Sequence, residues 1–256
     1  MTLTGFEGRI AFVTGATGGI GAAVVGHLCE AGCRVVATDL DVSAHSQNAT
    51  DNLWYLSLDV TDAVAVEKAV QQVEESWGAI DLGVNVAGVL ATDSVLETSP
   101  EVWRHVFDVN THGVFNVSRA LAARMQQRKR GALVTVGSNA AGVPRQNMAA
   151  YAASKAASHM FTRGLGLELG RHGVRCNLVA PGSTLTPMQT GMWADESGAD
   201  AVIGGSLETF KVGIPLGRLA VPDNIADAVL FLLSEQASHI TMATLYVDGG
   251  ATLTTS

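Results

Sequence analysis

The chain has 256 residues, 47% of them hydrophobic but only 5% aromatic, and a formal net charge of −8. That mix suits buried parallel strands covered by Ala- and Gly-rich helices better than an all-β shell, and the length suits one α/β domain. The negative charge and the lack of a long Lys/Arg run exclude nucleic acid or an anionic membrane as the main partner, because both require a basic footprint.

The N-terminus carries Glu7 and Arg9 ahead of an apolar strand, without a basic leader or a small-residue cleavage site, and no apolar run nears the ~20 residues of a membrane helix. A cytoplasmic protein acting on a small molecule is expected. Cys29, Cys33 and Cys176 form no paired motif, so neither a disulfide framework nor a zinc site is expected. The seven histidines, His27, His45, His105, His112, His159, His172 and His239, lack metal-ligand spacing, and no metal is predicted.

Short apolar runs at residues 10–14, 34–38, 54–58, 82–86, 132–136 and 175–179 alternate with longer helical stretches. Runs this short and this rich in Val, Leu and Ile predict buried parallel strands. A seventh run at 244–247 follows a helical segment over 223–234. The pattern predicts a single-domain α/β fold, a doubly wound (Rossmann) seven-stranded parallel sheet with helices on both faces. The stretch between Pro181 and Pro222, rich in Gly, Thr, Ser and Met, is too long for an ordinary connection, and a substrate lid is expected over about 183–221. Arg128, Lys129 and Arg130, between a helical pattern and a strand, predict a helix C-terminus rather than a phosphate site.

Thr14-Gly15-Ala16-Thr17-Gly18-Gly19-Ile20-Gly21 follows the first strand and runs into a helix. Glycines there let the backbone turn tightly and approach a pyrophosphate, which then sits at the helix N-terminus where free N–H groups favour negative charge. Asp39, followed by Leu40, ends the second strand, where a carboxylate can accept from the ribose hydroxyls of a dinucleotide and repel a 2′-phosphate; this favours NAD over NADP. An Asp at that place can also be a solvated strand end or a helix cap.

Asn110 lies inside a helical stretch over 100–125, although its side chain competes for backbone hydrogen bonds, and such a conflict often marks a functional site. Ser138 ends the fifth strand, at the sheet edge where open α/β folds bind ligands. Tyr151 and Lys155 are four apart in a helical segment over 148–169 and so share a face. An ammonium roughly 4 Å from a phenol, at an effective dielectric of about 20, favours the phenolate by about 4 kcal/mol. That predicts a Tyr151 pKa drawn down towards neutrality. Each feature alone has a bland counterpart: a turn serine, an exposed Tyr-x-x-x-Lys pair, a solvent-facing asparagine.

Together with Asp59-Val60, Asn85-Val86-Ala87-Gly88 and Pro181-Gly182, these residues resemble the short-chain dehydrogenase/reductase family over essentially the whole chain. The resemblance implies a catalytic tetrad in which Ser138 orients the substrate oxygen, Tyr151 exchanges its proton, Lys155 lowers the tyrosine pKa and grips the nicotinamide ribose, and Asn110 holds a water that relays protons. It also implies adenine contacts from Asp59 and Val60, nicotinamide contacts from Pro181, Thr184 and Thr186, and a homotetramer built on the two long central helices and the last strand, with the tail from Asp248 to Leu253 suited to such a contact. Val86 stands where the family usually has a second asparagine; a valine there keeps the strand but loses a polar anchor.

The variable segments 143–148, 181–193 and 210–218 resemble the branch of that family that oxidises 2,3-dihydro-2,3-dihydroxybenzoate in catechol siderophore pathways. Arg145 is expected to bind a ring carboxylate, with Met148, Met188, Gln189 and Trp193 against the ring. Arg145 paired to a surface carboxylate, over merely packed methionines, is the alternative. Two other enzymatic readings stay open, oxidation of an amino-substituted ring acid and reduction of a ketoacyl or ketone substrate, as does a catalytically silent dinucleotide-binding regulator.

Overall fold

Residues 2–253, apart from Ala194 and Glu196, are described by a computed structural model. The strands are β1 (Ile10–Thr14), β2 (Arg34–Asp39), β3 (Leu53–Ser57), β4 (Ile80–Asn85), β5 (Gly131–Val136), β6 (Val174–Pro181) and β7 (Thr244–Val247). All pair in parallel, in the order β3-β2-β1-β4-β5-β6-β7. The strand order reverses between β1 and β4, the crevice where such sheets receive ligands.

Alternation along the strands divides the core into two layers. Ala11 and Val13 of β1 point to one face, where Val24 and Leu28 of α1 (Gly19–Glu30) pack against Val229 and Leu233 of a C-terminal helix (Pro222–Leu233). Ile10 and Phe12 point to the other, against Val66 and Val70 of α2 (Ala63–Ser76) and Leu121 and Met125 of a central helix (Val114–Arg128). Asp62 caps α2 by accepting from Val64 N and Ala65 N, which satisfies donors that the first turn leaves free.

The helix expected over 100–125 is interrupted. α3 (Pro100–Phe107), capped by Ser99, gives way to a π-helical turn at Asp108–Gly113 before α4 (Val114–Arg128) resumes. Asn110 lies in that turn, so the local conflict in the sequence coincides with a backbone irregularity. α5 (Ala149–Leu169) carries Tyr151 in its first turn and Lys155 in its second. Between β6 and the C-terminal helix, the described residues form the short helices α6 (Pro187–Thr190) and α7 (Gly198–Gly204), a tight pairing of Ser206 with Lys211, and a bridge between Thr184 and Ala220. Ala194 and Glu196, within the expected lid, lie outside the described residues. With α8 for Pro222–Leu233, the helices on the two faces are α1 and α8 against α2, α4 and α5.

The basic cluster ends α4 as expected. Arg128 pairs with Glu74 at 2.8 Å and donates to the Ile80 carbonyl, while Arg130 pairs with Asp81 at 2.6 Å. Cys29, Cys33 and Cys176 are free thiols. Burial pushes Cys33 and Cys176 up to about 12, which leaves them unreactive at neutral pH. Among the described residues no helix is long and apolar enough to cross a membrane.

Candidate active site

A cavity of about 820 Å3 opens at the carboxyl ends of the central strands. At one end stands the Gly-rich turn. Gly15 adopts φ +64, and a Cβ on it would lie 2.6 Å from the Ala87 nitrogen, so only glycine lets the β1 and β4 ends approach this closely. Thr14 ties the same two ends together, its hydroxyl accepting from Val86 N at 3.2 Å and Ala87 N at 3.3 Å. Val86 is already past β4, so the expectation that it continues the strand is corrected, and Thr14 anchors the turn where the usual second asparagine is missing.

α1 begins without a side-chain cap and with no acidic residue in its first turn, and Gly18, Gly19, Ile20 and Gly21 all line the cavity. Its first N–H groups are therefore available to an anion. Asp39 and Leu40 line the same end, with Asp59 and Val60 opposite. The Asp39 carboxylate accepts from Thr17 N at 3.0 Å and Thr17 Oγ1 at 2.6 Å, and from Leu40 N at 2.8 Å. Uncapped helix start, close-approach glycines and strand-end carboxylate together fit a dinucleotide. Ala87, Gly88, Pro181, Gly182, Thr184 and Thr186 extend that lining towards the catalytic residues.

Asn85 is not part of it. β4 alternation turns its side chain under the sheet, where Nδ2 donates to Ser118 Oγ at 2.9 Å and Thr135 Oγ1 at 3.3 Å; the expected cofactor contact is corrected to a structural one.

Ser138 ends β5 in an extended conformation, and Tyr151 and Lys155 rise beside it from α5. All three line the cavity. Lys155 Nζ donates to the Val136 carbonyl at 3.1 Å and lies 5.8 Å from the centre of the Tyr151 ring. Asn110 does not reach the cavity. Its amide donates to Val89 O at 2.9 Å and Ser154 Oγ at 3.0 Å, and its Oδ1 accepts from Val89 N at 2.8 Å. The side chain is thus spent on clamping the loop after β4 to α5. A Cβ on Gly88 would lie 3.1 Å from Asn110 Oδ1 and 3.3 Å from Lys155 Nζ, so that loop is wedged between the two.

Electrostatics reverse one expectation. Burial pushes the Tyr151 phenol up, and the Ser138 hydroxyl, donating to it, pulls it partly back. Burial also brings Lys155 down to about 8. The attraction of the ammonium alone would draw Tyr151 towards neutrality, but the desolvation that both α5 side chains undergo outweighs it. In the chain alone the phenol is protonated at neutral pH.

Behind Ser138 stands His159, which sequence reasoning left without a role. The Ser138 N–H donates to His159 Nε2 at 3.3 Å, placing the ring proton on Nδ1. Burial, then Lys155 and Arg163, bring His159 down to about 4, so it is neutral. A Cβ on Gly137 would collide with the imidazole, which makes glycine the residue that fits before Ser138.

The expected substrate residues Arg145, Met148, Met188, Gln189 and Trp193 all line the same cavity. Arg145 is half-buried and makes no salt bridge among the described residues; Asp248 is the carboxylate whose charge it feels, so the surface-pair alternative is not what the structure holds. Lys211, His105, Met192 and Val202 line it too and were not anticipated. For Lys211 a signal existed in its being the one cation between Arg175 and Arg218.

Fold and site together place this chain in the short-chain dehydrogenase/reductase family, to which it belongs as an oxidoreductase using a nicotinamide cofactor. The family model described as enoyl-(acyl carrier protein) reductase matches residues 15–252. A 2,3-dihydro-2,3-dihydroxybenzoate dehydrogenase of Bacillus subtilis is 53% identical, covering 99% of each chain. A vibriobactin-specific 2,3-dihydro-2,3-dihydroxybenzoate dehydrogenase of Vibrio cholerae is 42% identical, covering 94% of this chain and 95% of its own. A solved short chain dehydrogenase/reductase family protein superposes with a TM-score of 0.85 at 33% identity, over 96% of this chain and 98% of that one.

Proposed function

We propose that the chain oxidises a ring hydroxyl of 2,3-dihydro-2,3-dihydroxybenzoate, with NAD as acceptor. The observation that carries this reading is the joining in one cavity of the Ser138–Tyr151 pair with a half-buried guanidinium, Arg145, and an apolar wall from Met148, Met188 and Trp193. A guanidinium holds a ring carboxylate in bidentate fashion, and apolar side chains suit the ring. The two dehydrogenases named above support the same substrate, and Asp39 supports NAD by placing negative charge where a 2′-phosphate would lie.

The uncapped start of α1, Asp39, Asp59 and Lys155 would hold NAD, which would supply the hydride acceptor. Ser138 orients the substrate hydroxyl, and Tyr151 takes its proton as the carbinol carbon is oxidised to the ketone. Lys155 stays charged beside the phenol and favours its ionised form. Asn110 serves by fixing the loop at Val89 and Gly88 against Lys155, and any water relay uses groups other than its committed amide. The ketone tautomerises to the catechol 2,3-dihydroxybenzoate, and the aromaticity gained makes oxidation the downhill direction.

The segment 183–221 acts as a lid over the ring, since Met188, Met192, Trp193 and Lys211 all reach the cavity from it. The outer faces of α4 and α5 leave Phe115, Met160 and Leu167 exposed, beside a groove containing Phe161 and Leu165, which supports a homotetramer paired through these helices. Incubation with NAD and the dihydrodiol carboxylate is expected to give reduced nicotinamide absorbance and, by mass, 2,3-dihydroxybenzoate. Turnover of simple ketones with NADPH, and none of this acid, would refute the reading.

A further inference from the structure

Two cations on separate segments line the same cavity, and among the described residues no carboxylate forms an ion pair with either. Arg145 stands on the connection between β5 and α5, whereas Lys211 stands on the segment between β6 and α8. Both are half-buried. Neither makes a hydrogen bond or an ion pair with its side chain among the described residues. Asp248, the carboxylate whose charge acts on Arg145, is already engaged, accepting from Asn139 Nδ2 at 3.2 Å and from Gly250 N at 3.0 Å.

The Lys211 backbone is held firmly. Its N–H donates to Ser206 O and its carbonyl accepts from Ser206 N, each at 2.9 Å, and Ile214 N donates to Ile203 O at 2.8 Å just beyond. A Cβ on Gly205 would lie 2.5 Å from the Gly213 nitrogen, so the two sides of this small hairpin touch. The ammonium is therefore presented from a fixed base. Burial lowers the pKa of both cations, and the Arg145 charge lowers that of Lys211 further. Two like charges kept close in a partly dry cavity without a partner are unfavourable unless a ligand anion relieves them.

Resting on the function proposed above, we infer that Lys211 and Arg145 together seat the substrate carboxylate, so that the acid group ties the lid to the core. Arg145 offers a planar fork to both carboxylate oxygens, and Lys211 adds a point charge from the lid side. A neutral diol of the same ring fills the apolar wall but leaves the two cations unrelieved. Specificity for the acid thus arises from two residues on separate segments.

The test is calorimetric titration of the full chain, saturated with NAD, using 2,3-dihydroxybenzoate and catechol as probes. The acid is expected to bind roughly ten- to hundredfold more tightly than catechol. Lys211→Met should erase most of that preference while keeping catechol affinity, and Lys211→Arg should restore it. Equal binding of acid and catechol by the parent chain, or an undiminished preference in Lys211→Met, overturns the inference. So does a Lys211→Met chain that loses catechol as well, since Lys211 would then be supporting the cavity rather than selecting its ligand. Turnover of the dihydrodiol carboxylate by the parent chain is scored separately: its absence counts against the proposed function, whereas the acid-over-catechol preference reports on the carboxylate seat.

Discussion

The Asp39 carboxylate accepts both the main-chain N–H of Thr17, at 3.0 Å, and its hydroxyl, at 2.6 Å. One side chain therefore fixes the Gly-rich turn from below and faces the cavity with negative charge. Replacing it has two separable effects. Asp39→Ser should lower the ratio of kcat/KM with NAD to that with NADP by roughly a hundredfold, about 3 kcal/mol, because the repulsion of a 2′-phosphate is lost. It should also weaken NAD itself by a smaller factor as the turn loosens. Thr17→Val, which keeps the charge and removes only the hydroxyl bond, should show the second effect without the first. Kinetics with both cofactors separate the two, and continued exclusion of NADP by Asp39→Ser would show that selectivity lies elsewhere.

Tyr151 is protonated in the free chain because burial outweighs its neighbours. Only the ionised phenol accepts a proton, so kcat/KM for oxidation should rise with pH through neutrality. Ser138 donates to the phenol and holds its pKa down, so Ser138→Ala should move that rise to higher pH besides slowing the reaction. Tyr151→Phe should cut kcat by about a thousandfold, within the range general acid–base catalysis contributes, with KM little changed. Pre-steady-state and steady-state rates over a pH series provide the measurement, and a Tyr151→Phe enzyme with the parent's profile would remove Tyr151 from the proton path.

The strands were legible because a parallel strand covered on both faces must be apolar along its length, and Phe12, Val36, Leu82 and Val134 are all fully buried. The Gly-rich turn, Asp39 and the Ser138, Tyr151 and Lys155 set were legible because their spacing follows from strand ends and one helix face. Asn110 stands out in the sequence as a local conflict, but its use as a clamp depends on a π-helical turn that helical periodicity hides. Asn85 was misplaced because its motif position said nothing about which side of β4 it faces. His159 and Lys211 escaped notice for a common reason: each acts across space, His159 through the Ser138 N–H and Lys211 from a segment without periodicity, and neither relation leaves a pattern along the chain.

The exposed apolar side chains of α4 and α5 carry a prediction about assembly. Phe115 packs edge-on against Phe161, 5.6 Å between ring centres, while Leu167 is 72% exposed. Burying this face between copies would remove the exposed Phe115, Met160 and Leu167 side chains from water. Light scattering should report a tetramer, and Leu167→Glu combined with Phe115→Glu should shift the mass to smaller species by placing charge within the contact. A monomer in the parent chain would refute the assembly.

His159 makes the acid side of the stability profile specific. In the fold its pKa is brought down to about 4 from an ordinary 6.5, chiefly by burial. Above pH 6.5 it is neutral whether folded or not, and it costs nothing. Between 6.5 and 4 the unfolded chain takes up a proton that the folded chain refuses, so stability falls as pH falls, by up to about 3 kcal/mol from this residue. His159→Gln keeps an acceptor for the Ser138 N–H but does not titrate. Urea unfolding at fixed protein concentration should find the parent losing its advantage over His159→Gln as pH drops from 7 to 4, the gap narrowing or reversing by that amount. Parallel stability curves for the two proteins would mean that the buried imidazole is protonated in the fold, and that the Ser138 N–H is held by something other than its lone pair.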